Sequence, residues 1–516
     1  MPSPSFETAY AQGAFADFFQ LAPKDTAAAL ELPRPVPRAA LTAALGRSAE
    51  KLGAPEAALR NLERLAHPGS RVVVTGQQTG LLLGPLYTLS KAVTAIALAK
   101  RLSSEARPVV PVFWLASQDA DSAEIDHSYL LDLRERLHRP ALPLPEGVCA
   151  GRIPLPEAWL EALLCDLDAL EVPEPYRREV GALLQRTAAR AQSFSEWFGA
   201  LLYELLGPAG LVVLDPMACD TAALFRPVLE AELAAPLRSV TAIGAAGAQL
   251  RRLGWTPQLG RGAGATNLFV EEAGQRRLLR VDGDGFRTER AHYTAAELRE
   301  RLEHDPCALT PAAGLRPVTQ DAVLPTAATV VGPGELRYFA QLRGVYEAHG
   351  VAMPLIWPRA SVTVLEPPVR RILDKFGLSA RELQRDFDGV MGETLLALHG
   401  HKAAFDESLA ALKRHALELT RHASNIDPTL SGTVARAEAR LTSVFGTLAK
   451  KSAAALSARD DLYTRQFGRL RAHLLPNGAP QERVLSPFSF FLKFGVQSVV
   501  EAFLALPPEG EHEVRF

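Results

Sequence analysis

The segment FWLASQDADSAEIDH brings Asp119, Asp121, Glu124, Asp126 and His127 together directly after an apolar run. Carboxylates so placed draw an ammonium group and can take its proton, and an imidazole titrates near neutral pH, so the set suits an amine, a sugar or a metal ion. The same residues would serve equally as helix furniture, with Asp119 or Asp121 at an N-cap and Glu124 and Asp126 as favourable first-turn charges. Metal is the weakest of these readings, because no His and Cys spacing demands it. Asp119, Asp121 and His127 are the catalytic candidates.

A second cluster lies upstream, in RVVVTGQQTGLLLGPLYTLSK. Val72, Val73 and Val74 read as a buried strand; Gly76, Gly80 and Gly84 permit a turn or close approach that a side chain would forbid. Pro85 can open a helix, at whose start unpaired N–H groups favour an anion. Thr75, Gly76, Gln77, Gln78 and Gly84 would then line a polar binding turn, the paired glutamines both donating and accepting. Tyr87 and Lys91 fall on one helix face close by, where Lys91 could meet a carboxylate or phosphate or simply lie in solvent. A third cluster, GLRPVTQDAVLP followed by VVGPGELRYFAQL, offers Arg316, Gln320 and Asp321, then Gly332 and Glu335 at another strand-to-helix turn. Arginine grips carboxylates bidentately, which favours Arg316 and, after the strand PLIW, Arg359. Glu335 could equally be only a partner of the helix dipole.

Elements that would position these groups follow from the apolar pattern. Val72 to Trp114 reads as strand, turn, helix and strand, a βαβ unit whose loops belong at the carboxyl edge of a parallel sheet. Trp114 ends the second strand and joins the binding set. Further strands are expected at Leu211–Asp215, Thr329–Val331 and Pro354–Trp357, with one helix from about Glu335 to Ala348 between the last two. Helical text interrupts the core over 130–190, and a small antiparallel meander is expected over 265–310. The predicted division is 1–129, 191–264 and 311–379 for the core, 380–475 for a helical hairpin, and 476–516 for a helical segment returning to the core. In the hairpin, Phe405, Leu409, Leu412, Ala416 and Leu419 form one heptad stripe, and Val434, Leu441, Leu448, Ala455 and Leu462 a second. Either stripe would serve packing within the chain or contact with a second copy.

Composition narrows the function classes. Of 516 residues, 47% are hydrophobic and 22% charged, which places the chain among globular proteins of several structural units. A net charge of -2 argues against a generally basic nucleic-acid surface. Cys149, Cys165, Cys219 and Cys307 form no C-x-x-C pair, which fits a reducing cytoplasm. Neither a signal-like start nor a long apolar run appears, so no membrane partner is expected. The G-x-x-x-x-G-K-[ST] loop, the G-x-G-x-x-G turn after the first strand and the G-x-S-x-G elbow are all missing. A P-loop ATPase, an ordinary NAD dehydrogenase and a serine hydrolase therefore lose ground.

Taken in order, TGQQTGLLLGPLYTLSK, PVFWLASQDADSAEIDH, LRPVTQDAVLP, VVGPGELRYFAQL and PNGAPQERVLSPFSFFLKFG resemble the bacillithiol biosynthesis cysteine-adding enzyme family, the cysteine ligases. The resemblance spans nearly the whole chain. It implies an α/β fold with a Rossmann-like parallel-sheet core, two connecting insertions like those of class I aminoacyl-tRNA synthetases, and a long C-terminal antiparallel α-helical coiled coil used for homodimerisation. It also implies a reaction: cysteine joined through its carboxyl group to the amine of glucosaminyl-malate. ATP or another nucleotide is the simplest activator, although no signature lysine loop or H-x-G-H is present. On this reading Gly76 to Lys91 form a wall for an anionic group, Arg316 grips malate carboxylates, and Asp119 and Asp121 orient the amine. Three positions, Gln118, Ala120 and Ser486, depart from the family pattern. Gln118, Asp119, Ala120 and Asp121 stand where the family usually reads E-D-H-D, leaving His127 or a water to replace a lost histidine, and Ser486 stands where an asparagine is expected. The competing readings are a class I synthetase-like nucleotidylyltransferase for another amino acid or amine, and a non-catalytic coiled-coil assembly protein.

Overall fold

The computed structural model describes residues 4–457 and 461–516. The chain divides into two compact units, one formed by Met1–Val362 with Leu485–Val514, the other by Thr363–Val484 with Arg515–Phe516.

In the first unit the strands are β1 (Arg71–Gln77), β2 (Val109–Leu115) and β3 (Val212–Leu214), then β4 (Ala265–Glu272), β5 (Gln275–Asp282), β6 (Gly285–Arg287), β7 (His292–Tyr293) and β8 (Leu309–Pro311), and finally β9 (Thr326–Val331) and β10 (Leu355–Pro358). Five of them make a parallel sheet in the order β10-β9-β1-β2-β3. The chain thus starts in the middle, builds outward to β3, and returns to the other side of β1 with β9, which is the Rossmann order. Val72, Val73 and Val74 are fully buried, as expected of a strand covered on both faces. The order reverses between β1 and β9, and the crevice outside the carboxyl ends of those strands is where such sheets bind ligands.

Helix α1 (Tyr87–Leu102) returns from β1 to β2, and α2 (Phe194–Leu206), nearly all buried, leads towards β3. Pro85 stands at the entry to α1, its carbonyl accepting from Thr88 N–H at 2.9 Å, and a short 3-10 turn at Leu81–Leu83 precedes it, with Leu82, Leu83 and Gly84 all at positive φ where the chain reverses. Helix α3 (Arg316–Val323) precedes β9, and α4 (Pro333–Phe339) follows it. The single helix expected up to Ala348 is two, α4 and α5 (Arg343–Ala348), because Gln341 turns its side chain inward to bond Leu259 and the N–H groups of Gln258 and Leu259 instead of continuing a helical face. Residues 265–311 form a second, antiparallel sheet in the order β8-β4-β5-β6-β7. Between β2 and α2 the chain holds a two-residue hairpin (Leu130–Leu131 with Leu137–His138) as well as helices at Glu157–Asp168 and Glu174–Ala188.

The second unit is helical, with α6 (Lys402–Ile426) and α7 (Ser431–Ser457) packed against each other across a turn at Pro428–Leu430. Asp427 closes that turn by accepting from Thr429 N–H at 2.8 Å. Phe405, Leu409, Leu412 and Ala416 are covered to varying degrees, as their stripe predicts, but Leu419 is 60% exposed. On α7 the covered positions include Val434, Glu438, Thr442, Phe445, Ala449 and Ala453, whereas Leu441 and Leu448 stay about half exposed. The strict seven-residue stripe therefore does not face α6. No described helix is long and apolar enough to cross a membrane.

Candidate active site

The strand β1 ends in Thr75-Gly76-Gln77, and each residue has a distinct part. Thr75 is interior, its hydroxyl donating to Val330 O at 3.0 Å across to β9. Gly76 lies beside Trp114 of β2, where a Cβ would stand 2.8 Å from the Trp114 carbonyl oxygen, so only glycine lets the two backbones approach. Beyond it the two glutamines diverge. Gln77 Nε2 donates to the Tyr87 hydroxyl at 3.3 Å while its Oε1 accepts from Lys91 at 2.9 Å. Gln78 Nε2 turns the other way, donating to Asp119 Oδ2 at 2.8 Å and to Glu124.

On the Gln77 side lies the crevice between β1 and β9. Lys91, 3% exposed, donates to Gly76 O and Gln77 Oε1, each at 2.9 Å, and forms an ion pair with Glu335. All three ammonium protons are used, so Lys91 ties the end of β1 to the start of α4 instead of standing open to a ligand. Burial pushes its pKa down, Glu335 pushes it back up, and the nearby Arg359 and Arg316 lower it further. Glu335 accepts from the Gly332 N–H at 2.8 Å, closing the first turn of α4, and a Cβ on Gly332 would touch this carboxylate at 3.4 Å. Arg316, at the start of α3, donates to Gln320 Oε1 at 3.1 Å and to the Tyr338 hydroxyl at 3.4 Å, and its guanidinium lies 5.8 Å from the Trp114 ring centre. Those acceptors are neutral, and Arg316 forms no ion pair among the described residues. Arg359, beyond β10, sits 5.5 Å from the Tyr87 ring centre and donates to Ala360 O. With Lys91 matched by Glu335, the Arg316 guanidinium on its neutral acceptors gives this half of the crevice a positive bias.

On the Gln78 side carboxylates gather, with Arg276 facing them. Asp119 is 39% exposed, with Oδ1 accepting from Ala120 N–H at 2.9 Å and facing Arg276 at 3.8 Å. Asp121 is exposed and precedes a single helical turn, Ser122–Ile125, with no side-chain capping bond. His127 pairs with Asp126, Nδ1 to Oδ1 at 2.6 Å, and meets the Tyr129 ring edge-on at 5.2 Å. The Gln118 to His127 stretch therefore splits: Asp119 and Glu124 converge on Gln78, while His127 and Asp126 hold each other.

Asp321 is not brought to this crevice. Because α3 runs antiparallel to β9, its first turn delivers Arg316 to the carboxyl edge and its last delivers Asp321 towards the opposite edge. There Tyr346 OH donates to Asp321 Oδ2 at 2.5 Å and Gln320 Nε2 to Oδ1 at 3.0 Å, and burial raises the carboxyl pKa. Gly84 is structural in the turn before α1, at φ +62°. Ser486 supports that turn from the far end of the chain, its hydroxyl donating to Leu82 O at 2.8 Å while Leu86 N–H donates to Leu485 O at 2.7 Å.

Sequence reasoning passed over Arg276. It arrives from β5 of the antiparallel sheet, where nothing local distinguishes it from Arg277 beside it. The signal that separates them is the strand alternation, which turns neighbours to opposite faces.

Comparison with known proteins agrees along the chain. The family description "Bacillithiol biosynthesis BshC, N-terminal Rossmann-like domain" matches residues 5–360, and "Bacillithiol biosynthesis BshC, C-terminal coiled-coil domain" matches 362–515. A protein of Thermus thermophilus named "Putative cysteine ligase BshC" is 42% identical over 465 residues, covering 88% of this chain and 90% of its own. A protein of the same name from Heliobacterium modesticaldum is 36% identical over 473 residues, covering 89% and 85%. Among solved structures, the Thermus thermophilus arginyl-tRNA synthetase aligns over 91% of this chain and 85% of that one at 14% identity, with a TM-score of 0.19 that carries no argument.

Proposed function

This chain belongs to the bacillithiol biosynthesis BshC family, and we propose that it is a cysteine ligase that joins the carboxyl group of cysteine to the amine of glucosaminyl-malate. The observation that carries this reading is the divergence of Gln77 and Gln78, which divides one crevice into a cationic and an acidic half. A substrate bearing malate carboxylates at one end and an amine at the other matches that division. Arg316, with Arg359 beside it, would take the carboxylates. Asp119, steadied by Gln78, would hold the ammonium group and accept the proton that it must lose before it can attack. Holding amine and acyl carbon in attacking geometry supplies much of the rate such a site can give.

Written out, the bond formed is C–N, and the oxygen lost from the cysteine carboxyl leaves as water in the net condensation. That condensation is unfavourable in water, so a nucleoside triphosphate is the natural co-substrate, its oxygen-accepting phosphorus carrying the oxygen away. The switch-point residues do not form a phosphate cradle: Lys91 is spent on three protein acceptors and Glu335 fills the first turn of α4. No residue is assigned to a nucleotide.

The protein works as a homodimer through its helical hairpin. The support is a row of exposed apolar side chains on one face of α7, Leu441, Val444 and Leu448, at helical spacing. It belongs in a reducing cytoplasm, since all four cysteines are unbridged and Cys165 and Cys219 lie exposed.

Mass spectrometry of reactions containing cysteine and glucosaminyl-malate, with and without ATP, tests substrate and activation together. Product bearing the mass of both substrates less water is expected. Its absence under every condition, or pyrophosphate exchange driven by an amino acid other than cysteine, would refute the assignment.

A further inference from the structure

An amide-forming site has to hold two carboxyl-bearing partners apart, and Arg316 can serve only one of them. Across the crevice, in the acidic half, stands one further arginine whose setting differs from that of a surface cation. Arg276 is 12% exposed, and three contacts fix its guanidinium in plane and direction. Nε donates to Thr310 Oγ1 at 2.9 Å, Nη2 donates to Pro311 O at 2.8 Å, and the Phe269 ring centre lies 3.9 Å from Cζ. Its own backbone N–H is anchored to Gly147 O at 2.8 Å, and that loop continues to the β2 exit, where Ala150 N–H donates to Asp119 O at 2.9 Å.

These contacts use Nε and Nη2 and leave Nη1 facing Asp119 Oδ1 at 3.8 Å, too far for a hydrogen bond. Both fixing acceptors are neutral, so they orient the group, and the charge that balances it is the Asp119 carboxylate it faces. Arg261, whose Cζ lies 5.8 Å from the same Phe269 ring centre, adds a second positive charge nearby. A guanidinium keeps its proton even where burial lowers its pKa, as it does here. The result is a preorganised donor aimed at the carboxylate that the ligase reading assigns to the amine.

We propose that Arg276 is the subsite for the α-carboxylate of the amino-acid substrate, an inference that rests on that ligase reading. Nη1 and Asp119 Oδ1 stand 3.8 Å apart, so a carboxylate bound at the one and an amine bound at the other would be neighbours, as attack of nitrogen on the acyl carbon requires. The antiparallel sheet thereby acquires a function: it carries one arginine over the end of β2 and holds it still.

The test compares wild type, Arg276→Met and Arg276→Lys with both substrates and ATP, using cysteamine, which is cysteine without its carboxylate, as a competitive inhibitor. Arg276→Met should raise KM for cysteine by about 10- to 100-fold, the loss of one charge-assisted hydrogen bond. KM for glucosaminyl-malate and the inhibition constant of cysteamine should stay within about twofold, and Arg276→Lys should recover part of the cysteine affinity. A general loosening of the site would move all three constants together and overturn the inference, as would an unchanged cysteine KM. If Arg276→Met fails to fold, judged by circular dichroism, Arg276→Lys decides by the same selectivity. Should wild type itself form no product, the ligase reading falls and takes this subsite with it; an active wild type with unselective variants overturns the subsite alone.

Discussion

Replacing Lys91 by Met should destabilise the first unit by about 2–4 kcal/mol. Lys91 is 3% exposed, and Met preserves most of its apolar stem, so the loss is confined to the ammonium head. That head makes two hydrogen bonds at 2.9 Å, to Gly76 O and Gln77 Oε1, and an ion pair with Glu335. Hydrogen bonds from a charged donor contribute about 1.5–3 kcal/mol each, and removing one member of a buried pair typically costs about 3–5 kcal/mol. Two effects reduce the figure. The desolvation penalty of the ammonium, which already lowers the Lys91 pKa, disappears with it, and Glu335 is 25% exposed and keeps its bond from Gly332. Glu335→Gln should cost about 1–2 kcal/mol, because it leaves the buried cation beside Arg316 and Arg359 with its hydrogen bonds but without its counter-charge. The double variant should fall short of the sum by at least about 1 kcal/mol, since the two groups are in contact. Urea unfolding followed by tryptophan fluorescence is the suitable assay, because Trp114, Trp159, Trp197, Trp255 and Trp357 all lie in the first unit. A Lys91→Met variant within about 0.5 kcal/mol of wild type, or strict additivity with Glu335→Gln, would refute the latch.

Gly76→Ala should destabilise the same unit by about 1–3 kcal/mol, because its Cβ would stand 2.8 Å from a backbone oxygen held in the β1–β2 register; an unchanged urea midpoint would contradict this. Asp119→Ala should lower turnover about 100- to 10,000-fold while leaving the unfolding transition in place, as expected for a half-exposed proton acceptor; wild-type rates on glucosaminyl-malate would remove it from the mechanism. Burial raises the Asp321 pKa above 3.8, so the folded state holds a proton that the unfolded state has lost, and the contribution of this group falls as pH rises through that window. The stability of Asp321→Asn relative to wild type should accordingly improve as pH rises from the unfolded carboxyl pKa through the raised folded one, and urea titrations showing the opposite slope would reverse the sign. Replacing Leu441 and Leu448 by Asp should leave α7 folded and yield a monomer where the proposed dimer forms in wild type, because both side chains are about half exposed within one chain; a variant dimer persisting in sedimentation velocity would show that the stripe is not the contact.

Much of the core was legible before any coordinates. The β-branched run Val72–Val74 reads as a buried strand, and its break into Gly76 and two amides reads as a turn at a sheet edge. Gly332 and Glu335 announced the matching turn after β9 for the same reason. Less legible was the fate of individual polar groups. Lys91 read as an open cation, and the fold uses all its protons internally; Asp321 read as a site residue beside Arg316, and the length and direction of α3 carry the two to opposite ends. On α7 a seven-residue stripe through Leu441 and Leu448 left open whether it meets α6 or a second copy, and the face covered within the chain follows Glu438, Thr442, Phe445 and Ala449 instead. Apolar spacing reports which residues share a face and is silent about what that face meets.

By itself, then, the sequence determined the local devices: which segments are strands, where glycine is required, and which residue types are offered at each strand end. Those follow from short-range sterics and from periodicity, which act within a few neighbours. Only the tertiary structure decided that Gln77 and Gln78 serve opposite halves of one crevice, that Ser486 buttresses a turn hundreds of residues earlier, and that Arg276 reaches Asp119 from a separate sheet. Each of these depends on the order in which strands assemble and on the burial that removes competing water. Both are properties of the whole chain, and no local segment encodes them.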